Sequence, residues 1–189
     1  VEDNNEHTLE RIQKEFGDKI AKIVDGLTKI GKLNTKGYSD VSIQAENYRK
    51  MLLTLNEDVR VIIIKIADRL HNMQTLGSMP YEKQIQKASE TLYIYAPLAH
   101  RIGLYNIKTE LEDLGLKYTD PDTYDEISKK LIESKKDQDE YIDKFNSIIS
   151  STLTKEKLKY NIRGRTKSIF SINNKMIRQG ISFEEVYDK

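Results

Sequence analysis

Asp58 to Leu76 reads DVRVIIIKIADRLHNMQTL, and the way this stretch folds decides the architecture of the chain. Its start is ambiguous, because Val61-Ile62-Ile63-Ile64 would suit a buried strand. Length favours a helix: the apolar phase continues through Ile66, Ala67, Leu70 and Met73, and Asp58 can cap the free N–H groups of a first turn. A helix this apolar is expected to be buried on most sides, so the polar residues near its C-terminal end need partners. Asp68, His71, Asn72 and Thr75 stand at i, i+3, i+4 and i+7, which places a carboxylate, an imidazole, an amide and a hydroxyl on one face. Spacing alone leaves two readings open. In one, Asp68 pairs with Arg69 or caps a neighbouring element and His71 is a satisfied interior histidine; in the other the stripe is a site.

Towards the N-terminus, Thr8 is placed to cap a short amphipathic helix built on Leu9, Ile12 and Phe16, with Gly17 as its stop. Ile20, Ile23, Val24 and Leu27 repeat the pattern, Lys29 to Gly37 has the composition of an exposed loop, and Ala45, Tyr48, Leu52 and Leu55 mark a further helix. Beyond the central stretch, Ser78-Met79-Pro80 opens a helix that runs to about Tyr95, where Pro97 ends or kinks it. Gly103 punctuates, Ile107, Leu111, Leu114 and Leu116 resume helical spacing, and Asp120-Pro121-Asp122 is a turn. From Thr123 a charged stretch through Leu131, Ile142, Phe145 and Ile149 reads as one or two amphipathic helices. The character changes near Lys155. Leu158 to Ile162 alternates like a strand, and Ile169, Ile172, Met176 and Ile177 form a helix ending at Gly180. Lys157 to Phe183 holds seven Lys or Arg and no acidic residue, which marks a second domain with a basic face or an RNA-binding patch.

Composition narrows the function classes. The 31 Lys and Arg against 30 Asp and Glu leave a net charge of +1, so overall charge selects no partner. Val61–Ile64 is broken by Lys65, and no apolar run approaches the roughly 20 residues that cross a bilayer, so no membrane partner is expected. Without cysteine there is neither a disulfide framework nor a thiolate metal site, which fits a cytoplasmic setting and leaves metal binding to His, Asp or Glu. The chain opens Val1-Glu2-Asp3 without methionine and closes without a turn signal, as expected of a piece of a longer protein. Glu2-Asp3 alone is an ordinary exposed acidic pair.

Taken together, Glu2-Asp3 with HTLERIQKEFGDKIAKIVDGLTKIGKL, QAENYRKMLLTLNEDVRVIIIKIADRLHNMQTL, ETLYIYAPLAHRIGL and GRTKSIFSINNKM closely resembles the Rel/SpoT family of bifunctional guanosine tetra- and pentaphosphate, (p)ppGpp, synthetase/hydrolases of the stringent response. The resemblance covers essentially the whole chain. It implies a mainly α fold: an all-helical HD-type hydrolase domain over residues 1–118, incomplete at its N-terminus, a helical linker over 119–154, and from 155 to 189 the beginning of an α/β nucleotidyltransferase-like synthetase domain. For the hydrolase it implies manganese-dependent removal of the 3′-pyrophosphate to leave GDP or GTP. Asp68 would be a metal ligand, and Glu2 and Asp3 would act near the attacking water. Asn72 and Thr75 would contact the nucleotide, and Arg69 and His71 would support the site. Two histidines and the Asp of the His-Asp motif would lie ahead of Val1, so the isolated chain is expected to show little activity. Gln74 departs from the arginine usual at its position, which puts a phosphate contact in doubt. For the synthetase the resemblance implies magnesium and transfer of pyrophosphate from ATP. Arg165 would lie against the adenine or phosphates, Lys167 and Lys175 near the ATP phosphates, and Ser171 in the same motif. A ribosome contact would run through C-terminal domains outside this sequence. The competing expectation is a non-catalytic helical module for regulation or RNA binding.

Overall fold

The computed structural model describes residues 8–31, 49, 58–162 and 166–186. Among them the regular structure is helical and no strand occurs. The helices are α1 (Leu9–Phe16), α2 (Asp18–Gly31), α3 (Val59–Gln74), α4 (Tyr81–Glu90), α5 (Ala96–Arg101), α6 (Tyr105–Thr119), α7 (Pro121–Lys155) and α8 (Ile169–Gln179). A 3₁₀ turn, Leu76–Ser78, follows α3, and a π-helical turn, Thr91–Tyr95, joins α4 to α5. The expected helix around Ala45 to Leu55 lies outside the described residues except for Arg49. The loop expected from Lys29 does not begin there, since α2 continues to Gly31, and residues 32–37 lie outside the described residues.

Local chemistry sets the boundaries. Thr8 accepts the Arg11 N–H at 3.3 Å, Asp58 the Arg60 N–H at 3.0 Å, Asp120 the Thr123 N–H at 3.2 Å, and Ser168 the Ser171 N–H at 3.2 Å, so four helix starts are capped by side-chain oxygens. Gly180 closes α8 in the left-handed region at φ 63, which costs a glycine nothing. Pro97 does not end its helix. The chain passes through it because the turn before it widens: the Ala96 N–H reaches back to the Thr91 carbonyl rather than one residue nearer. Proline has no N–H to continue the α ladder, and a π turn is a known way to absorb such an interruption.

The chain divides into two compact units, Val1–Thr119 and Asp120–Lys189. In the first, Ile62, Ile66, Met73 and Leu76 from α3 and the turn after it lock against Ile94, Leu98, Ala99 and Leu111, with Leu27, Leu70 and Leu114 packed round them. Gly26 and Gly115 let backbones approach. A Cβ on Gly115 would stand 2.6 Å from Leu92 Cδ2, and one on Gly26 2.8 Å from Val61 Cγ2.

In the second unit α7 is one continuous helix, about 50 Å long at 1.5 Å per residue. Its first turns share a core with α8: Ile127 and Leu131 meet Ile172, Met176, Phe183 and Val186. The strand expected over 158–162 does not form. Lys157 turns into the left-handed region at φ 56, the Leu158 N–H returns to the Leu153 carbonyl at 3.1 Å, and the Tyr160 hydroxyl reaches the Ser150 carbonyl at 3.3 Å. The alternating segment therefore folds back on the end of α7. A strand needs a partner for its backbone groups, and none exists among the described residues.

Replacing Gly115 by alanine should destabilise the first unit by about 1–2 kcal/mol, because the overlap with Leu92 outweighs the helix propensity gained. Urea denaturation checks this, and a stabilised G115A would show that Leu92 moves aside freely. Burial, opposed by Lys108, holds the Glu112 carboxyl above its ordinary value of 4.5. The folded state then favours the protonated form, so this group's contribution is present below pH 4.5 and is lost as pH rises through the raised value. Glu112→Gln should accordingly melt higher than the wild type at pH 7, with the gap narrowing as pH falls through the raised value and gone below 4.5; thermal melts across that range report it.

Candidate functional site

Helix α3 is two-sided. Ile62, Ile66, Arg69 and Met73, at steps of four, three and four residues, face the core, and Ile66 and Met73 are completely buried. The opposite side carries Ile64, Ala67, Asp68, His71, Asn72 and Thr75, all exposed. This corrects the expectation of a helix buried on most sides. The apolar residues that suggested it include Val59, Ile63 and Ile64, each more than 40% exposed. They lie on flanks that no described element covers.

The polar stripe is thus a surface. Asp68 makes no hydrogen bond or ion pair among the described residues, so neither structural role considered for it, pairing with Arg69 or capping another element, is found. Successive residues on a helix point about 100° apart, which sends the Arg69 side chain inward while Asp68 faces out. The His71 and Asn72 side chains are also exposed, and His71 is not an interior histidine. The Thr75 hydroxyl donates to the His71 carbonyl at 3.1 Å, so towards a ligand it is left as an acceptor. Gln74, one residue round, donates its amide to Glu110 Oε1 at 2.6 Å and is thereby tied to α6.

Arg69, to which the resemblance gives a supporting role, has buried partners that the sequence reading did not name. Its Nη2 stands 2.9 Å from Glu90 Oε2, its guanidinium carbon lies 4.1 Å from the centroid of the Tyr95 ring, and Nη1 donates to the Lys87 carbonyl at 3.4 Å. Arginine and glutamate are both buried. At this separation, and with both groups withdrawn from water, the arginine and the glutamate form a close buried ion pair. Burial favours loss of the Arg69 proton, but the attraction of Tyr95 and Glu90 overrides it and keeps the guanidinium charged. Burial also raises the Tyr95 phenol, against the pull of Arg69. The signal was present in the composition of the segment: an arginine in the inward phase of an apolar helix requires a buried anion.

Asp68 and His71 offer the oxygen and imidazole donors that a divalent ion such as manganese accepts. Among the described residues, however, no group of three or more His, Asp or Glu converges. The described residues alone therefore do not complete a metal site. Glu2 and Asp3 lie outside them.

In the second unit, Lys167, Ser171, Asn174, Lys175, Arg178 and Gln179 line an open groove of about 390 Å³. Three residues singled out in the sequence, Lys167, Ser171 and Lys175, meet there because α8 places 171, 174, 175 and 178 on one face. Arg178 and Asn174 join them, and i+3 spacing from Lys175 and Ser171 could have indicated both. Arg165 lies outside the described residues. A groove with three cationic side chains suits a phosphorylated ligand.

A family profile described as an HD domain matches residues 1–105. Over 182 residues the chain is 44% identical to a GTP pyrophosphokinase of Myxococcus xanthus, covering 96% of this chain and 24% of that protein. It is 40% identical over 189 residues to a probable guanosine-3′,5′-bis(diphosphate) 3′-pyrophosphohydrolase of Synechocystis sp., covering 100% of this chain and 25% of the relative. The hydrolase so named in Aquifex aeolicus is 43% identical over 190 residues, with 98% and 26% covered. The chain belongs to the HD-domain family and, within it, to the Rel/SpoT group that these relatives represent. It spans about a quarter of the length of these relatives. Among the described residues no helix is long and apolar enough to cross a membrane.

Truncating one member of the buried pair should be costly. Glu90→Ala leaves the Arg69 charge buried without its anion and should destabilise the first unit by about 3–5 kcal/mol, whereas Arg69→Met with Glu90→Met should cost clearly less than the sum of the two single changes. A double-mutant cycle in urea measures this; additive effects would mean that the two charges do not interact.

Proposed function

We propose that this chain is part of an enzyme that metabolises guanosine tetra- and pentaphosphate in the cytoplasm. Its first unit contributes to manganese-dependent hydrolysis of the 3′-pyrophosphate to GDP or GTP, and its second to ATP-dependent synthesis with magnesium in the longer protein. The observation that carries the reading is the outward stripe of α3. A carboxylate with no hydrogen-bond or ion-pair partner among the described residues is displayed beside an amide and a hydroxyl acceptor on a rigid, buried-backed helix, in a chain 40–44% identical to relatives named for these reactions. A surface carboxylate needs no function, but three polar groups in register on a helix anchored by its other face make a platform for a polar ligand.

In this reading Asp68 is one donor to manganese, and Asn72 and Thr75 orient the nucleotide, Asn72 through its amide and Thr75 by accepting a hydrogen bond. Glu2 and Asp3 are assigned to orienting the attacking water or taking its proton. A bound divalent ion supplies Lewis acidity towards the phosphoryl oxygens and makes water a better nucleophile. In the second unit Lys167 and Lys175 neutralise ATP phosphates, Ser171 donates or accepts a hydrogen bond at the same groove, and Arg165 packs against base or phosphate. The isolated chain should release little pyrophosphate, since metal affinity follows ligand number and the family resemblance gives this chain one metal ligand, Asp68.

In the longer protein, Asp68→Ala should lower manganese-dependent pyrophosphate release from ppGpp by about 100-fold or more while leaving the melting temperature almost unchanged, since the side chain is exposed. Wild-type hydrolysis by that variant would remove Asp68 from the reaction. Lys175→Ala should raise the KM for ATP in synthesis by about tenfold, the worth of one charge-assisted hydrogen bond, without touching hydrolysis. If neither activity can be measured while RNA is bound, the non-catalytic module is the better description.

A further inference from the structure

Glu90 and Tyr95 are five residues apart. In a regular α-helix they would point about 140° away from each other. Glu90 precedes and Tyr95 ends the π turn Thr91–Tyr95, whose hydrogen bonds run to the fifth residue, and such a turn returns residues five apart to the same side of the helix. Both therefore meet Arg69, the carboxylate at 2.9 Å and the ring at 4.1 Å. The Lys87 carbonyl, which accepts from Arg69, also accepts the Thr91 hydroxyl at 2.7 Å, so the guanidinium and the first residue of the wide turn share one anchor. Arg69 is the immediate neighbour of Asp68, and the rest of the inward face of α3 is aliphatic or methionine. Close-packed aliphatic side chains hold the helices together by a force that has no preferred direction. A planar fork held from three directions resists rotation of α3 about its own axis.

We infer that Arg69 is a positioning residue: its grip on Glu90 and Tyr95 fixes the rotation of α3 and so the direction in which Asp68, Asn72 and Thr75 are presented. This rests on the reading of those three residues as the functional face. A carboxylate some 6 Å from the helix axis moves about 2 Å when the helix turns by roughly 20°. Misplacement by about 1 Å can cost a reaction roughly 100-fold. Lysine at 69 keeps the charge but has neither the flat face that stacks on Tyr95 nor the second N–H group that reaches the Lys87 carbonyl.

The test compares Arg69→Lys with Ile94→Val, a core change of comparable destabilisation, both at a temperature where each is fully folded by circular dichroism. Spin labels on cysteines replacing His71, on the outward face of α3, and Lys117, on the exposed side of α6, report the orientation of α3 in the 189-residue chain. Kinetics of ppGpp hydrolysis are measured in the longer protein without labels. Arg69→Lys should shift or broaden the label distance by several ångströms and lower kcat at least tenfold with KM changed less than threefold. Ile94→Val should do neither. A folded Arg69→Lys protein with the wild-type distance, or with the wild-type kcat, overturns the inference and leaves Arg69 as a contributor to stability alone. Wild-type hydrolysis by Asp68→Ala would instead overturn the reading of the face, while the label distance still decides whether Arg69 controls the rotation.

Discussion

A charge inside an apolar helix pair has to be answered where it stands, and in this chain the answer organises the first unit. Arg69 enters the core in the phase that α3 otherwise fills with isoleucine and methionine, and it finds one carboxylate, one aromatic face and one carbonyl there. All three belong to the segment from Lys87 to Tyr95. The interaction therefore ties the central helix to the one place where the following helices depart from α geometry. Everything displayed on the outer side of α3 is held in relation to that contact.

The arrangement separates two tasks on one helix. Core-facing residues supply hydrophobic stabilisation, a non-directional force, through close packing. The buried ionic cluster supplies direction, which apolar contacts do not. The second unit reaches a similar division by simpler means. One side of α8 packs Ile172 and Met176 against α7, and its other side gathers Lys167, Lys175 and Arg178 round an open groove.

The sequence was most legible where structure is local. Thr8 and Asp58 as caps, and Gly17, Gly103 and Gly180 as punctuation, follow from hydrogen-bonding and backbone preferences confined to a few residues. The central helix was legible from its length. Its orientation was not, because Ile63 and Ile64 put apolar side chains on the outer flank and blurred the periodicity that separates inside from outside. The π turn could not be read either: Pro97 signals an interruption, but whether a helix stops, kinks or widens depends on what packs against it. The alternation over 158–162 was read as a strand because periodicity carries no information about a partner. At the candidate site the residue types of the polar stripe were visible, yet its openness and the inward path of Arg69 emerged only with the fold.

The wide turn has a bearing on how such a chain can change over time. Between Thr91 and Tyr95 the backbone carries one residue more than a regular α path would use for the same advance. Losing a residue there would restore ordinary winding while leaving Leu98, Ala99 and the rest of the downstream helix close to their present phase, with their enclosed side chains still seated. Exchanges of one amino acid for another can be absorbed singly along this stretch. The loss of that one extra residue can be absorbed there as well, so this turn admits a change of length that a regular helix in a closed core would not.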